Sequence, residues 1–343
     1  MENEVVTIIF SDKMRKFLII LCLTCLCLWG QAQSFFEEYN VFNHLEGSIS
    51  LGSTGIGVDL ATPIGNNVFL RAGFDAMPRF NQDLDFEVQV GENKAESSSK
   101  FRKLSGMLEN MIGSEVDDKV TMIGKPTYYN FKLLVNVYPF RDKHWYLTGG
   151  FFVGPSTIAK AKNDMADMPS LMAVSVYNIM YEKALGWQPL VDVGDRSFPT
   201  EPEMQDWLHD KFQAYGRMGV RIGDYAHDIF DAEGNMLHKA GDPYMMEPDA
   251  NSTVSAVVKV NSFKPYLGFG YGGSLLKSTD RYGVFVDCGA MFWGGTPQVY
   301  SHDGVNLTED ITNIRGKVGD YVTLIKGVKV FPVLNVRFAC RLF

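Results

Sequence analysis

The sequence has little cysteine, a shortage of basic residues and only one long apolar run. Of the five cysteines in 343 residues, Cys22, Cys25 and Cys27 lie in that run, which leaves Cys288 and Cys340 for the rest of the chain. Both fall on the apolar face of strand-like segments, so a disulfide between them is not favoured, although an oxidising compartment would permit it. Lysine and arginine number 32 against 40 acidic residues, a net charge of −8. A nucleic-acid partner is not expected, because phosphate binding requires a basic face.

The apolar run covers residues 17–29, FLIILCLTCLCLW, and has the features of a secretory signal peptide. It follows the basic segment 14–16, and small residues precede the expected cut after Ala32. The run is shorter than the about 20 residues that a spanning helix needs. We therefore expect residues 1–32 to be an upstream extension plus signal peptide, with the mature chain at 33–343. No second long apolar run follows, so a chain that spans a membrane would have to do so as a closed β-barrel.

Much of the mature chain alternates apolar and polar residues with the period of two that half-buried strands have. The clearest case is 127–138, TYYNFKLLVNVY, where apolar residues alternate with Asn130, Lys132 and Asn136. The last segment, 327–343, has the same pattern and reads as a closing strand. The remaining segments with this pattern are 45–62, which changes phase at 52–55 and counts as two strands, 68–77, 145–153, 266–273 and 282–293.

These strands predict an all-β fold with helical loop insertions, an antiparallel transmembrane β-barrel of about eight strands. A further alternating segment at 253–260 would need a partner and would raise the count to ten, the alternative. Short turns separate some strands and long excursions separate others, as in outer-membrane barrels with short periplasmic turns and long outer loops. The turns are 63–67, 139–143 and 277–281, and the loops are 79–118, 162–250 and 296–327.

The long loops are predicted to carry helices and much of the negative charge. Residues 162–250 contain 16 acidic and 7 basic side chains, a net of −9. Apolar spacing and proline at helix starts predict the helices. They are expected at 101–111, 169–185, 202–215 and near 308–325, with a small hairpin turning at 231–235.

Four motifs carry a resemblance to a known family. They are GSTGIGVDL at 52–60, KPYLGFGYGG at 264–273, GVFVDCGAMFWG at 283–294 and PVLNVRF at 332–338. On these the chain resembles the OmpA-like, opacity-type outer-membrane β-barrels of Gram-negative bacteria, in particular an uncharacterised, Bacteroidetes-like branch. The resemblance covers the strands, roughly half of the mature chain, and implies a location in the cell outer membrane.

Strand parity places charged side chains on the inward face, four acidic and four basic. The interior of an eight-stranded barrel is just wide enough for side chains to fill. Paired charges would therefore satisfy one another and plug the lumen, whereas an unfilled polar path would conduct small solutes. The predicted lumen charge network consists of Glu46, Asp59, Arg71, Asp75, Lys132, Asp287, Arg337 and Arg341.

Catalytic, cofactor and metal sites are not indicated. The glycines at 268–273 lack the following helix and the Gly-Lys-Ser/Thr of a nucleotide loop, and are better explained by a crowded lumen. His227 and His238 lack a firm third ligand for a metal. His144 is expected in an interfacial aromatic belt with Tyr138, Phe140 and Tyr146, so an enzyme is the less favoured class.

Two function hypotheses of different classes remain. The first is a structural or surface-interaction barrel whose acidic helical loops contact lipopolysaccharide, divalent cations or an extracellular protein. The second is a narrow porin-like channel or ligand-uptake barrel. Either would have outer-membrane lipid and the barrel-assembly machinery as partners. Conductance in planar bilayers distinguishes the two.

Overall fold

The computed structural model describes residues 41–193, 196–276, 279–314 and 316–342, so the expected signal peptide lies outside the described residues. Its helices are α1 (Lys94–Ile112), α2 (Met168–Leu185), α3 (Pro202–Tyr215) and α4 (Gly316–Gly327). The strands, in chain order, are β1 (Glu46–Gly52), β2 (Gly55–Gly65), β3 (Val68–Ala76), β4 (Gln82–Val90), β5 (Lys119–Pro126), β6 (Tyr129–Val137), β7 (Trp145–Val153), β8 (Thr157–Asn163), β9 (Val191–Val193), β10 (Arg196–Phe198), β11 (Met218–Tyr225), β12 (Ile229–Phe230), β13 (Met236–His238), β14 (Pro243–Met246), β15 (Ser255–Lys259), β16 (Phe263–Leu276), β17 (Thr279–Phe292), β18 (Gln298–Ser301), β19 (Ile311–Thr312) and β20 (Val330–Arg341).

Eight strands close into an antiparallel barrel in the order β1-β2-β3-β6-β7-β16-β17-β20, and β20 pairs with β1. Closure leaves no free edge, so the barrel strands satisfy one another's backbone hydrogen bonds. The prediction of an antiparallel barrel of eight strands is confirmed. The alternative of ten strands is not what forms, because β15, which falls in the alternating segment 253–260, pairs outside the barrel with β8 and β18.

The barrel is apolar outside and polar inside, the reverse of a soluble protein. On β6, Phe131 is 63% exposed, whereas its neighbours Asn130 and Lys132 are 0% and 6% exposed. On β1, Leu51 is 64% exposed while Ser50 is buried at 3%. Because successive side chains of a strand point to opposite faces, this alternation gives an outward hydrophobic band and a polar lumen.

Three short connections lie at one end of the barrel, and the long excursions lie at the other end together with the two-residue β1–β2 turn at 53–54. The β2–β3, β6–β7 and β16–β17 connections lie at the end that holds the start of β1 and the end of β20, which we call the turn end. The three excursions leave from the other end, the loop end, and span 77–128, 154–262 and 293–329. They are longer than the predicted loops because their strands are not part of the barrel.

One prediction about the aromatic belt is wrong. Tyr138 and Tyr146, expected at the membrane interface, are 7% and 1% exposed and lie inside the lumen, where their rings are 5.1 Å apart. Phe140 is exposed, and Trp145 faces outward and packs on Tyr271 at 4.9 Å. The physical reason is strand alternation, which places Trp145 on the outward face of β7 and its neighbour Tyr146 on the inward face.

The excursions are not independent loops but build a second sheet. Its order is β14-β11-β4-β5-β8-β15-β18, with β19 paired to β11. Its two edges approach each other, since the Tyr244 hydroxyl on β14 lies 2.9 Å from the Ser301 hydroxyl on β18 and donates to Asp303 at 2.8 Å. The sheet is thus nearly closed, and we call it, with helices α1 to α4, the outer domain.

The helices of the outer domain pack against this sheet. Helix α1 begins seven residues before the predicted segment, because the Asn93 side chain accepts a hydrogen bond from the Ala95 amide and caps it. It ends at Gly113, whose φ of 77° suits glycine. Helix α2 and helix α3 lie where the sequence predicts them. Helix α4 begins later than the predicted 308–325, because β19 occupies Ile311–Thr312.

Two clusters of buried apolar side chains form the cores. The larger lies within the outer domain and includes Phe101, Leu171, Tyr177 and Met218. The smaller includes Tyr128, Phe152, Tyr266, Met291 and Trp293 and lies at the loop end of the barrel. None of the helices in the described part of the chain is long and apolar enough to cross a membrane.

Candidate functional site: the barrel lumen

The centre of the lumen holds a lysine between two carboxylates. The Lys132 ammonium on β6 lies 2.8 Å from Asp59 on β2 and 2.6 Å from Asp75 on β3. All three side chains are at most 3% exposed. Buried charges are tolerated when they are paired and hydrogen-bonded, and here one ammonium is paired with both carboxylates. This central trio therefore carries one excess negative charge.

A second group of charges lies around Asp287 on β17. The Arg71 guanidinium on β3 donates to both carboxylate oxygens, at 3.0 and 3.2 Å, and Arg337 Nε on β20 lies 3.5 Å from the same carboxylate. The Tyr146 hydroxyl on β7 donates to it at 2.8 Å. Arg337 also lies over the Phe285 ring, 4.3 Å from its centroid. This group has two cations for one anion.

The Arg71–Asp287 contact crosses the lumen. Strands β3 and β17 are four places apart in the ring of eight, on opposite walls of the barrel. The other ion pairs of these two groups join neighbouring or next-nearest strands. The two groups together have three cations and three anions, so the charge of the central trio is balanced by the excess around Asp287.

Glu46 and Arg341 are not part of this buried network. They are cross-strand partners at the turn end of the barrel. Glu46 lies 3.5 Å from His44 Nε2, and Arg341 is exposed. With Asp142 and Lys143 they line a cavity of about 630 Å³ with mixed polar and apolar walls at this mouth. The structure therefore brings six of the eight predicted residues into buried contact and leaves two at the mouth.

Lys264 is a buried lumen cation that the sequence reading missed. It is 0% exposed, its ammonium donates to the Asn130 side-chain oxygen at 2.9 Å, and it lies 5.9 Å from the Tyr128 ring centroid. Pro265 predicts a break in the strand pattern before 266–273, because proline cannot donate to a sheet ladder. Here β16 continues through Pro265, paired with Phe151, and the inward parity of Lys264 was the available signal.

The inward glycines of β16 make room for tyrosine rings. A Cβ at Gly270 would lie 2.2 Å from the Tyr146 ring, and one at Gly268 would lie 2.4 Å from the Tyr266 hydroxyl. Gly73 has the same role beside the central trio, where a Cβ would lie 2.0 Å from an Asp59 oxygen. The crowded lumen therefore accounts for the glycine-rich motif at 264–273.

His227 and His238 of the outer domain contact different partners. His227 is 3.4 Å from Asp310, and His238 stacks on the Tyr225 ring at 4.4 Å. Among the described residues, no group of three potential ligands could hold a metal ion. Cys288 and Cys340 are free thiols on neighbouring strands; Cys340 pairs in register with Tyr282.

Comparison with known proteins gives matches among solved structures alone. No protein-family profile and no curated protein matches the chain. It is similar to Acinetobacter baumannii CarO2, with 14% identity over 88% of this chain and 99% of that one and a TM-score of 0.35. It is also similar to a major outer membrane protein from Thermus thermophilus (11% identity, 87% and 98% covered, TM-score 0.26). A third is Ail, the attachment invasion locus protein of Yersinia pestis (6% identity, 87% and 93% covered, TM-score 0.21).

Scores this low mean that the structures superpose poorly, so the fold assignment rests on the barrel's own geometry. Eight antiparallel strands close without an edge, and their outward faces form an apolar band around a polar interior. That combination is stable in a bilayer and not in water. The fold is that of an eight-stranded outer-membrane β-barrel.

Proposed function

We propose that this protein is an outer-membrane barrel of the structural, surface-interaction type, whose lumen does not conduct ions steadily. The observation that supports this is the contact between Arg71 and Asp287, which joins opposite walls of the barrel. An ion moving along the axis would have to displace this pair and then the trio around Lys132. Breaking a buried pair costs roughly 3–5 kcal/mol, which makes a standing open path unfavourable.

The location we propose is the cell outer membrane, with the turn end of the barrel in the periplasm and the outer domain outside. Short turns on the periplasmic side and long segments outside are the rule for such barrels. Outer-membrane lipid and lipopolysaccharide surround the apolar band, and the barrel-assembly machinery inserts it. The proposed role is not catalytic.

The outer domain is the part that meets extracellular partners in this proposal. It carries most of the acidic segment 162–250, so divalent cations or a basic face of a protein are the contacts its charge favours. Some of that charge is already engaged, since Arg217 lies within hydrogen-bond distance of Glu182 and Glu247. These two carboxylates hold the pKa of the Arg217 guanidinium above its usual range.

A narrow channel is the second candidate, and the cavity with charged rim residues at the turn end favours it. That cavity, about 630 Å³ and bordered by Glu46 and Arg341, is large enough to admit hydrated solutes to the mouth of the lumen. A channel would require the charges beyond it to rearrange.

Planar-bilayer recording separates the two candidates. Wild-type protein should give no steady conductance, whereas Arg71→Ala should give brief openings because it removes the contact across the lumen. Arg341→Ala, which removes a cation of the mouth, is the matched control and should behave as wild type. Each sample must first show a heat-dependent gel-mobility shift, which demonstrates a folded barrel. A large, constant conductance from folded wild-type protein would refute the closed-lumen function and favour the channel.

A further inference from the structure

The outer domain contains an apolar cavity of about 250 Å³ that is partly open to the surface and shares no residue with the lumen network. Inward side chains of its sheet form the wall, and helix α4 covers one side with Val318, Val322 and Ile325. These three residues follow the i, i+4, i+7 spacing of one helix face. The wall is almost wholly apolar, and Phe86 and Met122 are among its buried members.

Small residues at inward positions create this space. Gly124 on β5, Ala159 and Ala161 on β8, and Ala256 on β15 all line the cavity. Gly124 is not required by its backbone, since a Cβ there would meet its nearest neighbour, the Gln82 carbonyl oxygen, at 3.4 Å. Protein cores are otherwise packed densely, and an apolar cavity of about 150 Å³ is already enough to bind benzene. A cavity of this size and lining is therefore suited to a hydrocarbon chain.

The cavity reaches the part of the outer domain next to the barrel. Its lining includes Phe80, Pro126 and Ala159, which lie within a few residues of the loop ends of β3, β6 and β7. Phe80 is 56% exposed there. A ligand that partitions into the outer leaflet would thus meet this end of the cavity first.

Two lysines border the same end. Lys125 on β5 and Lys160 on β8 are directly opposite each other in the register. They border the cavity at this end, but strand alternation points their side chains to the outer face of the sheet, away from the inward Gly124 and Ala161. Both are exposed, and among the described residues no carboxylate lies within ion-pair distance of either. Like charges in direct cross-strand pairs are unfavourable, and an anion between them would relieve the repulsion. Their position in an otherwise acidic chain points to an anionic end group.

We propose that this cavity binds a single hydrocarbon chain that ends in an anionic group, with the chain inside the sheet and the anion outside the open end of the cavity, where the Lys125 and Lys160 side chains reach it from the outer face. Such a chain is supplied either by a free fatty acid or by a lipid of the membrane beside the domain. Binding at this cavity does not depend on whether the barrel lumen conducts ions, because the cavity and the lumen network share no residue.

Calorimetric titration of the full-length protein in amphipol with fatty acids tests the cavity. From octanoate to dodecanoate, affinity should rise roughly fourfold per methylene until the cavity is full, and then level off. Ala161→Leu and Ala256→Leu fill the space and should weaken decanoate binding at least roughly tenfold, since several methylenes are excluded. Ala214→Leu, an exposed position on α3, is the matched control and should leave affinity unchanged.

Comparing the binding of decanol with that of decanoate tests whether the lysines bind the anionic group. The double variant Lys125→Gln/Lys160→Gln should weaken decanoate binding roughly fivefold, the scale of an exposed ion pair, and leave decanol binding as it is. These are surface changes, so they remain informative if a cavity-filling variant does not fold. Equal losses for both ligands would overturn the role of the anion.

Native mass spectrometry from phosphatidylglycerol nanodiscs distinguishes the two sources. A lipid retained by wild type and Ala214→Leu, but not by Ala256→Leu, would identify a membrane lipid as the occupant. Decanoate binding without lipid retention would identify a free fatty acid. No chain-length dependence and no retained lipid would overturn the proposal.

Discussion

Lys132→Met tests the lumen network most sharply, because one ammonium serves two buried carboxylates. Its distances to Asp59 and Asp75 are 2.8 and 2.6 Å. Methionine keeps an unbranched chain of similar length and removes the charge, so the change in packing is small. The substitution leaves two carboxylates facing each other without a cation, in a part of the barrel with almost no exposure to water.

The expected loss of stability follows from this geometry. Removing one partner of a buried ion pair costs roughly 3–5 kcal/mol, since the remaining charge is uncompensated. Two carboxylates are left here, so we expect the free energy of unfolding to fall by at least about 4 kcal/mol. The triple variant Lys132→Met/Asp59→Asn/Asp75→Asn carries no unpaired charge at this point and should recover part of that loss, because asparagine amides can hydrogen-bond to each other. Recovery is not complete, because the excess positive charge around Asp287 then has no balancing carboxylate.

The free energy of unfolding of both variants is measured by urea unfolding in lipid vesicles, with the gel-mobility shift of the folded barrel as the readout. Lys103→Met, at an exposed position on α1, is the matched control and should leave the unfolding midpoint of the barrel unchanged. A loss below about 1 kcal/mol for Lys132→Met would match an exposed ion pair and would refute the buried network. A triple variant no more stable than Lys132→Met would show that the cost comes from packing.

Three further predictions concern the outer face and the outer domain. Phe131→Arg on the lipid-facing side should cost about 2–4 kcal/mol in vesicles, whereas Phe131→Leu should be close to neutral; equal effects would mean that this face does not meet lipid. Tyr244→Phe removes the hydroxyl that joins the two edges of the outer sheet and should cost roughly 1–3 kcal/mol, seen as faster proteolysis of the outer domain with an unchanged barrel shift. Burial, with Asp303 and Asp310 nearby, raises the pKa of Tyr225 to about 12. The unfolded tyrosine loses its proton near pH 10, so the outer domain should lose stability between pH 10 and 12, and Tyr225→Phe should flatten that loss in a proteolysis-pH profile.

Local pattern was enough to predict the barrel and most of its buried charges. In β6 the buried positions alternate with outward ones, and Asn130, Lys132 and Asn136 all fall on the buried face. The period of two therefore assigns Lys132 to the lumen without any tertiary information. The same parity placed Arg71 and Asp287 inside. Lipid outside and a narrow interior force this alternation on every barrel strand, which is why it can be read from sequence.

The outer domain could not be read in the same way. Strand β4, QDLDFEVQV, does alternate, but its partners β5 and β11 come from two different excursions. The residues next to β4 in the sequence do not indicate that pairing. Local pattern therefore predicts polar loops with helices for most of this region. The apolar cavity depends on the same long-range assembly, because Gly124, Ala161 and Ala256 form one wall only after three strands meet.

The sequence by itself determined the strands, their faces and the ends at which turns and excursions lie, because a bilayer imposes one period and one polarity on all of them. Tertiary structure alone decided which charges meet. Arg71 and Asp287 are both inward by parity, yet only the closure of the ring places β3 opposite β17 and brings them within 3.0 Å. Pairing across a lumen depends on strand order and stagger, and neither is encoded in the neighbours of a residue.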